Sequence, residues 1–192
     1  MSRLLNKNVD LNLGCPIDLV TSKGAGSALL ERKSRLESIL SAMKATSSVP
    51  FTVKIRTGVT MGRKTAHTLL PLFQSYGASL VTLHGRSKEQ RYAKKADWEY
   101  ISECAKLADP MPLFGNGDVL GWEDYYAALD KGVSGVMIGR GALIKPWLFK
   151  EIKERKVYDI SATERLDIMK EFTRCGLEYW GSDTMGVNTT RR

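Results

Sequence analysis

Apolar and polar residues follow one another along most of the chain in a repeating order of strand and then helix. Val9, Leu11 and Leu13 are separated by Asp10 and Asn12, the period of a strand, and predict a short buried strand. Further apolar runs predict strands at about residues 51–56, 79–84, 112–115 and 134–138. Apolar residues three or four positions apart predict helices over about residues 28–43, 64–76, 97–107 and 121–129.

This order of elements predicts an α/β fold with a parallel sheet. Strands that alternate with helices pair in parallel, and right-handed crossovers direct their carboxyl ends to one edge of the sheet. Glycine and polar residues follow every predicted strand, as in a (β/α)8 TIM barrel, whose active site is built from these loops. A doubly wound open sheet is the alternative, although no glycine-rich dinucleotide fingerprint follows the first strand.

From about Ser161 the pattern becomes helical only. Ser161 is a candidate N-cap, and Glu164 three residues later would complete a capping box. An apolar stripe follows from Leu166 to Phe172. We therefore predict that residues 1–157 form part of a barrel and that residues 158–192 begin a helical domain.

Charge and cysteine content narrow the class of protein. The 192 residues carry 29 Lys and Arg against 21 Asp and Glu, a net charge of +8, which favours an anionic partner such as nucleic acid, although many soluble proteins carry such a charge. Three distant cysteines and two histidines lack metal-site spacing, so no metal is predicted and a reducing compartment is expected. No apolar run approaches the roughly 20 residues of a membrane span, and no secretory signal is recognisable, so no membrane partner is predicted.

One cysteine lies at the end of the first predicted strand. Gly14 and Pro16 stop that strand and form a turn around Cys15. The carboxyl end of a strand is where an α/β protein places reactive groups. Because an ordinary thiol is mostly protonated near neutral pH, we hypothesise that Cys15 is a catalytic acid; the alternative is an ordinary buried thiol.

Polar residues at the ends of the later strands are candidates for the same site. Each has a simpler explanation: Lys54 as a lysine whose charge reaches solvent, His84 as a core histidine, Asn116-Gly117-Asp118 as a turn, and Gly139-Arg140-Gly141 as the entry to a helix. Their shared position directly after apolar strands favours a common role. The amides of Gly139 and Gly141, with Arg140 as countercharge, would suit the phosphate of a cofactor.

The segment from Arg86 to Lys95, here called the basic loop, leaves the same predicted edge of the sheet. It carries five cationic residues and one aromatic residue, Tyr92. This composition suits contact with a nucleic-acid backbone and stacking on a base. A solvated surface loop is the alternative.

Six motifs resemble the flavin-dependent tRNA-dihydrouridine synthases. In chain order they are VDLNLGCPIDLV, KGAGSALL, VKIRTG, VTLHGRSKEQRYAKKADW, PLFGNGD and VMIGRGALIKPWLF, across about residues 9–149. The GCP turn and the HGRSKEQRY stretch look like this family in particular. The likeness is greatest to the eukaryotic subgroup that reduces the uridine at position 47 of tRNA.

The resemblance implies an oxidoreductase with FMN as cofactor, NADPH as reductant and tRNA as substrate. It implies that a hydride reaches C6 of uracil, that Cys15 donates a proton to C5, and that the uracil leaves its stack. The implied FMN contacts are Lys54, His84, Asn116, Gly117, Asp118, Gly139 and Arg140. The candidate substrate contacts are Asn12, beside flavin and uracil, and Arg86 and Arg91 of the basic loop.

By the same resemblance the five strands correspond to the fourth to eighth strands of the barrel. A complete barrel needs eight, so the chain is expected to be partial, to bind FMN poorly and to be inactive alone. The full-length protein is expected to be a monomer in the cytoplasm, with the nucleus as a second location. A flavin-dependent reductase of a small molecule and an inactive RNA-binding or unfolded remnant are the alternatives.

Overall fold

The computed structural model describes residues 8–191 of the chain. Contacts divide the chain into two compact units, with the boundary between Lys156 and Val157. Within the described range, the first unit contains a sheet with its helices, and the second contains two helices.

The first unit is built on one parallel sheet, whose strand order follows the chain order. A doubly wound sheet reverses its strand order part-way, whereas a barrel keeps it. The fold is therefore α/β with singly wound parallel strands, and the doubly wound alternative is wrong for the described strands. These strands are β1 Val9–Asn12, β2 Phe51–Arg56, β3 Leu80–His84, β4 Leu113–Asn116 and β5 Gly135–Met137.

Seven α-helices are described in this unit. They are α1 Asp18–Thr21, α2 Lys33–Thr46, α3 Ala66–Tyr76, α4 Trp98–Ala108, α5 Trp122–Leu129, α6 Arg140–Ile144 and α7 Leu148–Glu154. Helix α3 contains Pro71 in its interior and ends at Gly77, whose φ of 86° gives the left-handed cap that glycine favours. The helix predicted over about 28–43 is divided at Arg32, because a 3-10 helix, Gly26–Glu31, precedes α2.

The hydrophobic core lies between one face of the sheet and the helices. Val53 and Ile55 of β2 and Leu83 of β3 are fully buried there against the helices. Side chains alternate across a strand, so Lys54 and Arg56 lie on the opposite face of β2. Because the core occupies the face covered by helices, Lys54 and Arg56 lie on the face of the sheet that points away from those helices.

The prediction of a buried first strand is wrong. Val9 is 47% exposed, and Asp10 and Asn12 are also exposed, whereas Leu13, just after β1, is fully buried. The physical reason is that β1 pairs only with β2 among the described strands. A strand at a sheet edge has one uncovered side.

The second unit contains α8 Ala162–Trp180 and α9 Thr184–Arg191. The predicted capping box is present at the start of α8. The Ser161 hydroxyl accepts a bond from the Glu164 amide at 3.2 Å, and the Glu164 carboxylate accepts one from the Ser161 amide at 2.8 Å. None of the helices in the described range is long and apolar enough to cross a membrane.

Candidate active site

The carboxyl ends of the strands bring most of the predicted residues together. Asn12 of β1 lies opposite Lys54 of β2, and His84 of β3 lies opposite both Arg56 of β2 and Asn116 of β4. Residues opposed in a parallel sheet share a face. These side chains therefore form one row along the edge of the sheet.

A cavity of about 300 Å³ lies at this edge, within the range of small-molecule sites. Its lining includes every predicted site residue except Arg86 and Arg91: Asn12, Cys15, Lys54, His84, Asn116, Gly117, Asp118, Gly139 and Arg140. The other lining residues are Gly14, Pro16, Arg56, Tyr92, Val119, Leu120, Met137, Ile138 and Gly141. The cavity is thus rich in cationic and amide donors.

Cys15 is a half-buried free thiol whose backbone is held on both sides. The carbonyl oxygen of Gly14 accepts a bond from Nε of Arg56 at 2.7 Å. The carbonyl oxygen of Cys15 accepts bonds from the hydroxyl and the amide of Ser27, at 2.8 and 3.1 Å. Gly26 permits this approach, since its φ is 57° and a Cβ there would lie 2.9 Å from the Cys15 carbonyl oxygen.

Asn12 contributes to the same turn. Its side-chain Oδ1 accepts a bond from the Gly14 amide at 3.0 Å. The carbonyl end of this side chain is therefore engaged within the turn, and its NH2 end is the part that suits a ligand with acceptor oxygens.

Lys54 presents a cationic donor to the cavity. Its Nζ lies 3.4 Å from Oδ1 of Asn116, and Nδ2 of Asn116 donates to the carbonyl oxygen of Met137 at 2.8 Å. Burial, followed by the positive charge of Arg56, lowers the pKa of Lys54. The contact with Asn116 directs the Lys54 side chain from β2 toward the end of β4, where it can donate to an anionic or carbonyl-bearing ligand.

His84 is a buried, neutral histidine. Burial, together with the charges of Arg56, Lys54 and Arg86, lowers its pKa to about 3. Nη1 of Arg86 lies 3.3 Å from Nε2 of His84. Because a guanidinium can only donate, Nε2 is the acceptor, and the ring proton is assigned to Nδ1.

Arg86 and Asp118 form an ion pair at the side of the cavity. Nη2 of Arg86 donates to both carboxylate oxygens of Asp118, at 2.7 and 2.6 Å, and the amide of Ala96 donates to the same carboxylate at 2.8 Å. Burial alone would raise the pKa of Asp118, but the bonds from Arg86 and Ala96 outweigh it and hold that pKa below its usual range. The Arg86 side chain is only 3% exposed and lies outside the cavity lining. Its role in this structure is to join the basic loop to β4.

Arg140 and Tyr92 meet at the mouth of the cavity. The Arg140 guanidinium carbon lies 4.7 Å from the centre of the Tyr92 ring, and Nη2 of Arg140 is 3.2 Å from Asp118. A Cβ built on the neighbouring Gly139 would meet no protein atom within 4 Å. The glycine therefore leaves open space beside a cationic side chain.

Arg91 lies outside the cavity lining. Its side chain is 57% exposed and its Nη2 is 3.4 Å from the Asp18 carboxylate. The exposed guanidinium is accessible to an anionic macromolecule but does not reach the cavity. The structure therefore places Arg91 apart from the other predicted residues.

Two lining residues with polar side chains, Arg56 and Tyr92, are absent from the individual site residues that the sequence predicts. The strand period of the sequence places Arg56 on the same face of β2 as Lys54, two positions earlier, but assigns it no role. Tyr92 stands out in the sequence only as the aromatic residue of the basic loop. Its position over the cavity depends on long-range contacts that no local pattern reveals.

Comparison with known proteins decides the family. The family model for dihydrouridine synthase (Dus) matches residues 3–189. The chain belongs to the dihydrouridine synthase family. The cavity described above therefore lies in a member of this family.

Curated relatives of this family member are much longer than the chain. A Xenopus tropicalis protein named tRNA-dihydrouridine(47) synthase [NAD(P)(+)]-like is 57% identical over 196 residues, which cover 100% of this chain and 31% of the relative. The Homo sapiens protein of the same name is 59% identical over 184 residues, 96% of this chain and 28% of the relative. A Cryptococcus neoformans tRNA-dihydrouridine(47) synthase [NAD(P)(+)] is 55% identical, covering 96% and 27%. The chain thus spans less than a third of the length of these relatives.

One solved structure, of nitroalkane oxidase from Streptomyces ansochromogenes, is similar over 69% of this chain and 48% of its own. Its sequence identity is 16% and its TM-score 0.35, too low to support an argument about this fold.

Across the described residues, no group of three or more His, Cys, Asp and Glu side chains could hold a metal ion.

Proposed function

We propose that this chain supplies the catalytic face of a tRNA-dihydrouridine synthase, which reduces the C5–C6 bond of a uridine in tRNA. The observation that carries the proposal is the cavity that gathers Cys15, Asn12, Lys54 and His84 in a member of the dihydrouridine synthase family. The names of the relatives support tRNA as substrate and NAD(P)H as reductant.

The residues of the cavity fit FMN. Lys54 and Arg140 are cationic, His84 carries a ring N–H, and Asp118, the one carboxylate in the lining, is paired with Arg86. Such a donor set suits a ligand that presents ring carbonyls and a phosphate. Gly139 leaves open space at the cavity wall beside Arg140, as the close approach of a phosphate requires. Lys54, His84, Asn116 and the Gly139-Arg140 segment would hold FMN, which supplies the hydride when bound.

Cys15 would supply the proton. In this step the Sγ–H bond of Cys15 breaks, a C–H bond forms at C5 of the uracil, and the thiolate left behind takes up a proton from solvent. The bonds from Arg56 and Ser27 hold the backbone beside Cys15, and such fixed placement is what general acid catalysis requires. Asn12 would orient the uracil with its side-chain amide.

The basic loop would contact the RNA backbone outside the cavity. Arg91 is exposed, and Tyr92 is 60% exposed while it also lines the cavity. The net charge of +8 supports an anionic partner.

We extend the proposal to three finer points: β1–β5 are the fourth to eighth barrel strands, α8 begins the helical domain, and the substrate is the uridine at position 47.

The experiment uses a chimera in which residues 1–192 replace the matching segment of the Xenopus tropicalis relative. The chimera is incubated with FMN, NADPH and an unmodified tRNA transcript, and dihydrouridine is measured by mass spectrometry. We expect dihydrouridine to form, and Cys15→Ala to lower the rate at least about 100-fold, the size typical of a lost general acid.

Cys175→Ala is the matched control, because Cys175 is a thiol of the second unit and does not line the cavity. It should retain the full rate. Wild-type activity in Cys15→Ala would remove Cys15 from the mechanism. Reduction of a small pyrimidine without any turnover of tRNA would replace the proposal with a small-molecule reductase.

A further inference from the structure

Arg56 is a buried cation at the end of β2 that donates hydrogen bonds to three backbone carbonyl groups. The residue is 3% exposed. Its Nε donates to Gly14 at 2.7 Å, and its Nη1 donates to Ser87 at 3.0 Å and to Arg91 at 3.5 Å. A buried guanidinium is costly unless its donors are satisfied, so these bonds are a specific arrangement and not a chance surface contact.

The carbonyl groups that Arg56 binds belong to two segments with different proposed roles. Gly14 directly precedes Cys15, the proposed proton donor. Ser87 and Arg91 belong to the basic loop, the proposed RNA contact. One planar side chain thus joins the segment that holds the thiol to the segment that would meet the substrate.

Both segments are otherwise well fixed, which makes the link rigid. On the Cys15 side, Ser27 holds the carbonyl of Cys15. On the loop side, the amides of Lys88 and Glu89 donate to Gly58 and Val59 at 3.0 and 3.1 Å. A displacement at one end of the Arg56 side chain is therefore expected to be transmitted to the other end, because little around it can yield.

We infer that Arg56 is a positioning residue that couples the Cys15 turn to the basic loop, so that engagement of RNA by the loop and placement of the thiol depend on each other. This inference rests on the proposed function for its catalytic meaning. The coupling itself is a property of the free chain and can be measured without any activity.

The test measures amide hydrogen exchange in segments 14–17 and 87–92, and the rate at which iodoacetamide alkylates Cys15. All variants carry Cys175→Ser so that Cys175 does not react, and Cys104 is fully buried. In Arg56→Gln we expect faster exchange in both segments and faster alkylation, each by about 10-fold, as for loss of a local constraint. Amides of β3 serve as the internal reference and should not change.

Three matched variants sharpen the result. Ser27→Ala removes the hydroxyl bond to the Cys15 carbonyl but keeps the amide bond and Arg56, so it should speed exchange in segment 14–17 more than in segment 87–92. Arg63→Gln removes an exposed arginine from the loop after β2 and should change neither. Arg56→Lys keeps the charge but lacks the planar fork of donors. Amide exchange should therefore stay faster than in the parent chain in at least one of the two segments.

Activity separates this inference from the proposed function. In the chimera, Arg56→Gln should both lower kcat and raise KM for tRNA, by about 10- to 100-fold in kcat/KM. A chimera that retains Arg56 yet forms no dihydrouridine would overturn the proposed function and leave the coupling intact. The coupling would be overturned if Arg56→Gln raised exchange in only one segment, or raised it equally in β3. It would also be overturned if exchange in both segments of Arg56→Lys returned to the rate of the parent chain.

Discussion

Nη1 of Arg86 lies 3.3 Å from Nε2 of His84, and this contact determines which tautomer the imidazole adopts. The guanidinium donates, so the imidazole accepts through Nε2 and is neutral with its proton on Nδ1. His84 can therefore offer the cavity a neutral donor, while the positive charge stays on Arg86 and Lys54.

The first prediction concerns the titration of His84. Its pKa of about 3 means that it stays neutral at pH 5, where an ordinary histidine is mostly protonated. Nitrogen-15 spectra of the labelled chain should show the Nδ1–H form from pH 5 to 8, with His67 identified through His67→Gln. A His84 signal that titrates near pH 6.5 would contradict this assignment.

The same shift links His84 to stability. Below pH 6.5 the unfolded chain binds a proton at this histidine and the folded chain does not, so its contribution to the free energy of unfolding falls as the pH falls, by about 1.4 kcal/mol per unit between pH 6.5 and 3. His84→Gln should remove that part of the slope in denaturation experiments, relative to His67→Gln.

The second prediction concerns Lys54 and the binding of FMN. Loss of its charge in Lys54→Met should weaken FMN binding to the chimera by about 10- to 100-fold, the size of a lost hydrogen bond to a charged group. The measurement is quenching of flavin fluorescence on titration with protein. Because burial lowers the pKa of Lys54, FMN affinity should fall as the pH rises, starting below the pH at which an ordinary lysine loses its proton.

Lys54→Arg is the control for charge, since arginine stays protonated across this range. Its FMN affinity should lose most of the dependence on pH even if it is weaker at pH 7. Identical pH profiles for the Lys54→Arg chimera and the parent chimera would show that another group titrates.

The third prediction compares two ion pairs of different exposure. Arg86 is 3% exposed and bound by both oxygens of Asp118, whereas the pair of Arg165 and Asp159 is exposed, at 55% and 94%. Asp118→Asn leaves a buried cation without its anion and should cost about 3 kcal/mol of unfolding free energy. Asp159→Asn should cost less than about 1 kcal/mol.

The measurement is chemical denaturation followed by tryptophan fluorescence, since the indole of Trp98 donates to the carbonyl of Gly117 beside Asp118. The lowered pKa of Asp118 adds a dependence on pH. Its contribution is present above the pKa of an unfolded aspartate and is lost as the pH falls through the folded value. Equal losses of stability in Asp118→Asn and Asp159→Asn would contradict the claim that burial of Arg86 makes its ion pair more stabilising than the exposed pair.

The strand-and-helix order and the gathering of the strand ends could be predicted from sequence, because they follow from local periods and from the geometry of parallel strands. The position of Arg86 could not, since its partner Asp118 is 32 residues away and the pairing depends on how β3 and β4 lie together. The exposure of Val9 could not either, because it depends on which strands flank β1. The interruption at Arg32 follows a 3-10 helix that begins at Gly26, and Gly26 packs against Cys15. That contact joins two separate segments, so neither segment reveals it alone.

The hydrogen bonds around Cys15 also bear on the time at which the thiol acquires its environment during folding. The bond from Ser27 spans 12 residues, and the bond from Arg56 spans 42. Contacts between distant residues carry a larger entropic cost of loop closure and form late relative to local helices. The environment of Cys15 is therefore complete only after β1 and β2 have paired, and a nascent chain would carry an ordinary, unconstrained thiol until that moment.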